Sequence, residues 1–259
     1  MRDVSVIEDL DPELTAQMTS HSGAVLKASG ISAGIGSFPV ILGVLAGSAF
    51  GASLPQGIVE VLNFALTLEY LEDAFYKAGL KAKRLIPAAD REVFGEISKN
   101  EDAHVKLLKT VLGSQAVAKP KVDPTAGGAF SDVLTNYQTF LALSQTFEDT
   151  GVRAYKGQAG NLMSDGKILT VALQIHSVEA RHAAQVRRIR GEKGWITGDS
   201  RGSLPAPTQP TYDGEGNTTQ GGTDLSGMAG VPASAITEAF DEPLTREQVL
   251  AIAKPFIVG

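Results

Sequence analysis

Two short stretches, Glu101-Asp-Ala-His104 and Ile175-His-Ser-Val-Glu-Ala-Arg-His182, decide how the rest of the chain is read. The chain has four histidines (His21, His104, His176 and His182), and two of them follow a glutamate by three positions. Glutamate fills 15 of 259 positions, so finding the pattern twice by accident is improbable. On a helix, residues three apart lie on one face a turn from each other, so each pair can aim a carboxylate and an imidazole at one point. A second repeated spacing supports the first: Glu69 is followed seven residues later by Tyr76, and Glu148 seven later by Tyr155. Glu69 precedes Glu101 by 32 residues and Glu148 precedes Glu179 by 31, so the chain reads as two similar helix pairs.

Outward from these motifs, apolar periodicity predicts four long amphipathic helices. The first runs from about Pro55 through Leu62, Leu66 and Leu71 to about Gly79, and the second from about Pro87 through Val93, Ile97 and Leu108 to Gly113. The third is expected from a Ser131 cap through Phe140 and Phe147 to about Gly157. The fourth runs from near Asp165 to Gly191, with Arg187, Arg188 and Arg190 complementing its C-terminal dipole. The stretch holding Pro120, Pro124, Gly127 and Gly128 is too long for a tight hairpin, so one long crossover joins the pairs. The expected fold is all-α: a ferritin-like four-helix bundle with one long crossover. One Glu from each of two helices and a Glu-x-x-His from each of the other two is the ligand pattern of di-iron and di-manganese carboxylate bundles.

That pattern has a chemical reason. Two hard divalent ions close together need anionic ligands to offset their repulsion, and four carboxylates can chelate or bridge while two imidazoles close the ends. The candidate ligands are Glu69, Glu101, His104, Glu148, Glu179 and His182, for two Fe or Mn ions. Their neighbours Phe64, Leu68, Phe147 and Ile175 are apolar, and unpaired carboxylates buried there would be costly unless a metal or a proton compensates them. Glu72, one turn after Glu69, could replace or supplement it, and the match to Tyr76 favours Glu69. His176, one turn before Glu179, reads as an additional ligand, a partner of one, or a packed histidine. Tyr76 and Tyr155 read as hydrogen-bond donors to the carboxylates, as oxidisable groups beside them, or as plain packing.

Composition bounds the rest. With 43% hydrophobic and 20% charged residues and a formal charge of −6, the chain is an ordinary globular composition without the basic field that nucleic acid binding uses. It has no cysteine, so any metal must take oxygen and imidazole ligands. Three regions are expected: an N-terminal extension over 1–54, the bundle over 55–192, and an irregular tail with a terminal helix over 193–259. Within the first, the uncharged Gly-rich run 31–54 fits an export-signal remnant, an arm packed on the bundle or a neighbouring subunit, or a membrane anchor. In the tail, 195–232 is rich in Gly, Pro, Thr, Ser and Asp and is expected to be largely solvated, whereas Thr245 before an apolar run predicts a capped terminal helix.

Leu62-Asn-Phe-Ala-Leu-Thr-Leu-Glu-Tyr-Leu-Glu72, Phe147-Glu-Asp-Thr-Gly-Val-Arg-Ala-Tyr155 and Ile175–His182, with the ending Phe240–Phe256, resemble the bacterial ferritin-like domain family that includes desiccation-related proteins. The resemblance implies a metal-dependent protein handling oxygen or peroxide in stress protection, of the ferroxidase or peroxidase type if it is an enzyme, and a homo-oligomer. It also implies export, yet Ser22-Gly23-Ala24 stands where a twin-arginine signal would place its arginines. Competing with the redox reading are a structural or assembly protein that keeps the bundle with a structural metal or none, and a mineral-storing cage.

Overall fold

The computed structural model describes residues 54–228 and 230–258, so the readings made for 1–53 lie outside the described residues. Four long helices form an all-α bundle: α1 (Gln56–Lys81), α2 (Arg91–Leu112), α3 (Tyr137–Gln158) and α4 (Gly166–Ile189). Two short helices follow in the tail, α5 (Ala233–Thr237) and α6 (Arg246–Ala253); of the two-residue strands among the described residues, β1 (Lys121–Val122) lies between α2 and α3, and β2 (Thr219–Gln220), β3 (Thr223–Asp224) and β4 (Ile257–Val258) lie in the tail. Among the described residues no helix is long and apolar enough to cross a membrane.

The hydrogen bonds between helices fix the topology. Tyr155 reaches Glu69 while Tyr76 reaches Glu148, so α1 and α3 run antiparallel. The short connection 82–90 makes α1 and α2 antiparallel as well, which leaves α2 and α3 parallel. The chain must therefore travel back along the bundle between them, a distance of about 30 Å for helices of this length. Residues 113–136 make that journey. They are pinned by β1, which pairs antiparallel with β4 so that Lys121 faces Val258 and Val122 faces Ile257. The crossover is thus tied to the end of the chain.

Helix boundaries follow local chemistry. α3 starts later than the Ser131 cap expected for it: the carboxylate of Asp123 accepts from the N–H groups of Thr125 and Gly127, and the chain turns through Gly127 and Gly128 at positive φ. The cap is Asn136, whose side chain accepts from Gln138 N. Asp165 caps α4 by accepting from Lys167 N and Ile168 N. Thr245 and Gln248 form a full capping box on α6, as the sequence predicts.

Two apolar clusters fill the bundle. One is aromatic, with Phe75 stacked on Phe140 at 4.9 Å and Phe147 edge-on to Phe75, and it contains Tyr76; the other gathers Leu62, Leu66, Leu108, Ile168 and Ile175 and contains Tyr155. α3 is buried along nearly its whole length from Phe140, because the tail covers the face that the other helices leave open. Ile196, Leu204, Thr208, Thr211 and Tyr212 are buried, so part of the 195–232 segment packs on the bundle where its composition suggested solvent. Gly157 marks the closest approach: a Cβ there would stand 2.0 Å from the Leu244 carbonyl oxygen.

Candidate metal centre

Each long helix sends one part of a single buried cluster inward. α2 supplies Glu101 and His104, α4 supplies Glu179 and His182, α1 supplies Glu69 and α3 supplies Glu148, and all six are buried. Their potential ligand atoms form two groups, Glu69–Glu101–His104–Glu179 and Glu101–Glu148–Glu179–His182, in each of which the atoms lie within 4.8 Å of one another. Glu101 and Glu179 belong to both groups. Glu69 with His104 closes one end and Glu148 with His182 the other.

The arrangement has an approximate twofold relation that the repeated spacings foreshadow. His104 Nδ1 lies 3.2 Å from Glu69 Oε2, 3.3 Å from Glu101 Oε2 and 3.2 Å from Glu179 Oε1. His182 Nδ1 lies 3.0 Å from Glu101 Oε1 and 3.2 Å from Glu148 Oε2. The tyrosines repeat the relation crosswise: Tyr155 donates to Glu69 Oε1 at 2.5 Å, and Tyr76 donates to Glu148 Oε1. Each hydroxyl thus holds the end carboxylate carried by the opposite helix pair.

Glu72 is buried and belongs to neither group of four. It borders the cluster at Gly151, where a Cβ would stand 3.3 Å from Glu179 Oε2 and 3.4 Å from Glu72 Oε1. A side chain at 151 would crowd both carboxylates, which accounts for a glycine in mid-helix despite its cost of about 1 kcal/mol relative to alanine. His176 is half-buried beside the Val152 backbone, and it too lies outside both groups.

Sequence reasoning passed over Asn100. Its side-chain amide meets His182 Nε2 at 3.1 Å, so the ring is held from behind while Nδ1 faces the carboxylates. Such a contact fixes the orientation of a ligating imidazole. The side chain lies at the floor of a solvent-open cleft that Glu92, Glu96, Arg181, His182 and Gln185 also line. Asn100 stands immediately before Glu101, and no spacing rule marks it. His104 has no counterpart of this contact among the described hydrogen bonds.

Five buried carboxylates against two imidazoles leave an excess of negative charge, and the protonation equilibria show it. Burial, reinforced by Glu179, raises Glu101 to about 7; burial also raises Glu179, to about 8, with Glu148 and Glu69 adding to it. Burial raises Glu72 well above the carboxylate range, and Glu179 and Glu101 push it further. Burial would lower His182, but Glu148, Glu101 and Glu179 reverse this and hold it up at about 11; His104 is raised further in the same way, chiefly by Glu69. Without an ion the centre therefore retains protons.

The donor set fits divalent cations. Glu101 Oε1 and both oxygens of Glu179 are buried and complete no hydrogen bond, although imidazole nitrogens approach them. They belong to Glu101 and Glu179, the two residues common to both groups.

Comparison with known proteins agrees with this architecture. Residues 57–192 match the model of the ferritin-like domain family, a span that includes all four long helices and every residue of the two groups. No curated protein matches the chain.

Proposed function

Starting from a chain that belongs to the ferritin-like domain family, we propose that it is a dinuclear-metal protein, using iron or manganese to handle oxygen or peroxide in stress protection. The observation that carries this reading is the overlap of two buried four-residue groups on Glu101 and Glu179. In this reading Glu101 and Glu179 would be shared between the two ions, Glu69 and His104 would help hold one, and Glu148 and His182 the other. Four glutamates balance two divalent charges, and Glu72, which holds its proton, adds none.

A bound pair of such ions supplies redox and Lewis-acid chemistry toward an oxygen species. The protein's part is positional. Tyr155 and Tyr76 orient the end carboxylates, Asn100 orients His182, and the two apolar clusters keep bulk water from the centre. The cleft at Asn100 and His182 opens the His182 end of the centre to solvent.

Elemental analysis of protein purified from its own host, beside the Glu101→Ala/Glu179→Ala double variant, tests the reading. About two iron or manganese ions per chain, as a two-ion site requires, and their loss in the variant are expected. A folded wild-type protein that takes up no metal, even after anaerobic ferrous loading, would leave a structural bundle as the function. Oxygen or peroxide consumption by the loaded protein then separates redox work from a structural metal.

A further inference from the structure

Next to the metal centre, between α1, α2, α3 and α4, lies an apolar cavity of about 20 Å³. Leu62, Ala65 and Leu68 of α1, Leu108 of α2, Tyr155 of α3 and Ala172 of α4 are among its walls. It adjoins the centre through Tyr155, which lines it and whose hydroxyl donates to Glu69. A cavity needs roughly 10–15 Å³ to admit a single water, so this one has room for one small molecule. A buried water also requires two to four polar partners. Tyr155 and Gln158 are the polar side chains in the wall; the first gives its proton to Glu69, and the amide oxygen of the second accepts from Asn161 at 3.0 Å. Almost none of the surface facing the space is polar, so water and peroxide fit it poorly and an apolar diatomic molecule fits it well.

We infer that this cavity docks molecular oxygen beside the Glu69–His104 end of the centre. The inference rests on the redox reading above and narrows it, by assigning the oxidant to oxygen on this side. Polar species would instead meet the protein at the Asn100–His182 cleft. The two ends of a nearly symmetric centre thus face different surroundings, one an apolar cavity, the other a solvent-open cleft in which Glu92, Glu96 and Arg181 stand.

Xenon is an apolar probe of such cavities, and its binding needs neither metal nor turnover. In the metal-free full-length chain, ¹²⁹Xe NMR should report a bound site that disappears in Ala172→Leu, which fills the space. Ala65→Val is the milder variant should the first fail to fold. Loaded with ferrous iron, the filled variant should keep its metal content while its KM for oxygen rises about tenfold, equivalent to about 1.4 kcal/mol of docking. Absence of xenon binding in the wild type would overturn the inference, as would an unchanged KM in a variant that has lost xenon. Xenon bound in a wild-type protein that takes up iron but consumes no oxygen would break the redox reading itself, and the assignment of the occupant with it.

Discussion

α3 carries buried charge on two of its faces, and the two sets are balanced in opposite ways. Toward the bundle axis, Glu148 joins a centre in which five carboxylates face two imidazoles. About a quarter turn round the helix, at roughly 100° per residue, Asp149 and Arg153 meet the tail. There the charges match two for two. Arg187 grips Asp149 through Nε at 3.1 Å and Nη2 at 2.5 Å, and Tyr212 donates to Asp149 at 2.8 Å. Arg153 pairs with Glu215 at 2.7 Å and donates to the carbonyls of Glu242, Thr211 and Asp213. The lock leaves one carboxylate oxygen, Glu215 Oε2, without a hydrogen bond, whereas the centre leaves three. Buried charge that the protein neutralises locally holds the fold together; buried charge left in excess marks a candidate binding site.

The sharpest way to break this comparison is to unbalance the lock. Arg153→Met would strand Glu215 with no cation, and breaking a buried ion pair from one side costs about 3–5 kcal/mol. We expect a loss of that size in urea denaturation, with proteolytic cleavage appearing in 205–245. At the centre the same operation should have the reverse sign. Metal-free Glu101→Ala/Glu179→Ala should be at least as stable as the metal-free wild type, since it removes mutual repulsion. A large loss of stability in that variant would show the centre to be a structural lock as well.

A pH series sharpens the contrast. Glu101 at about 7, Glu179 at about 8 and His182 at about 11 all bind protons more tightly folded than unfolded, where they titrate near 4.5, 4.5 and 6.5. Their stabilisation is complete at low pH and is lost as pH rises through the folded values. Glu215 of the lock, raised by burial to about 7, finishes titrating at about pH 8, so the decline above that belongs to the centre. The metal-free protein should melt at progressively lower temperature as pH rises from about 7 to about 9. Metal binding should run the other way. Ligating imidazoles must be neutral and ligating carboxylates ionised. Filling the centre therefore displaces protons from His104, His182 and, below about pH 8, Glu179, and the joint affinity for two ions should rise at least about a hundredfold per pH unit, the slope for two protons released. A pH-independent melting temperature in the metal-free protein would remove the basis for the charge excess.

Next in size is Asn100→Ala, which should lower metal affinity by about 10–100-fold, the usual effect of losing a group that orients a ligating histidine. The loss should fall on one ion of the two, because His104 lacks the equivalent contact among the described residues. Titration by calorimetry should therefore separate into a tight and a weakened step. Equal weakening of both steps would remove the asymmetry from the ligand shell.

The centre was legible in the sequence and the lock was not, for one physical reason. Period and spacing report which residues share a helix face; they do not report what covers that face. Glu101, His104, Glu179 and His182 announce themselves because a carboxylate and an imidazole a turn apart among apolar neighbours have few other uses. Glu69 and Glu148 follow from the repeat that ties them to Tyr76 and Tyr155, although the crosswise pairing of hydroxyls and carboxylates depends on helix direction and needed the structure. Which carboxylates are common to both groups was equally out of reach. On α3, Thr146, Asp149, Thr150 and Arg153 form a polar stripe that reads as a solvent face. A polar tail covering a polar stripe leaves no apolar signature, and two-residue strands such as β1 and β4 are too short to show any period.

The smallest effect expected is the most discriminating about the tyrosines. Tyr155→Phe and Tyr76→Phe each delete one hydroxyl that donates to an end carboxylate and leave the ring in its apolar cluster. A hydrogen bond to a charged group contributes about 1.5–3 kcal/mol, but with an ion bound the carboxylate is already partly neutralised, so about 1 kcal/mol, or several-fold in metal affinity, is the expected loss for either. By the twofold relation the two losses should match within a factor of about two. Only Tyr155 also borders the apolar cavity, and phenylalanine there keeps the wall in place. The two variants should therefore differ little in their KM for oxygen, even though filling the cavity through Ala172 raises it. A rise confined to Tyr155→Phe would mean that the hydroxyl, beyond the space behind it, governs access to the Glu69 end. That outcome would trace the difference between the two ends of the centre to a single proton donor.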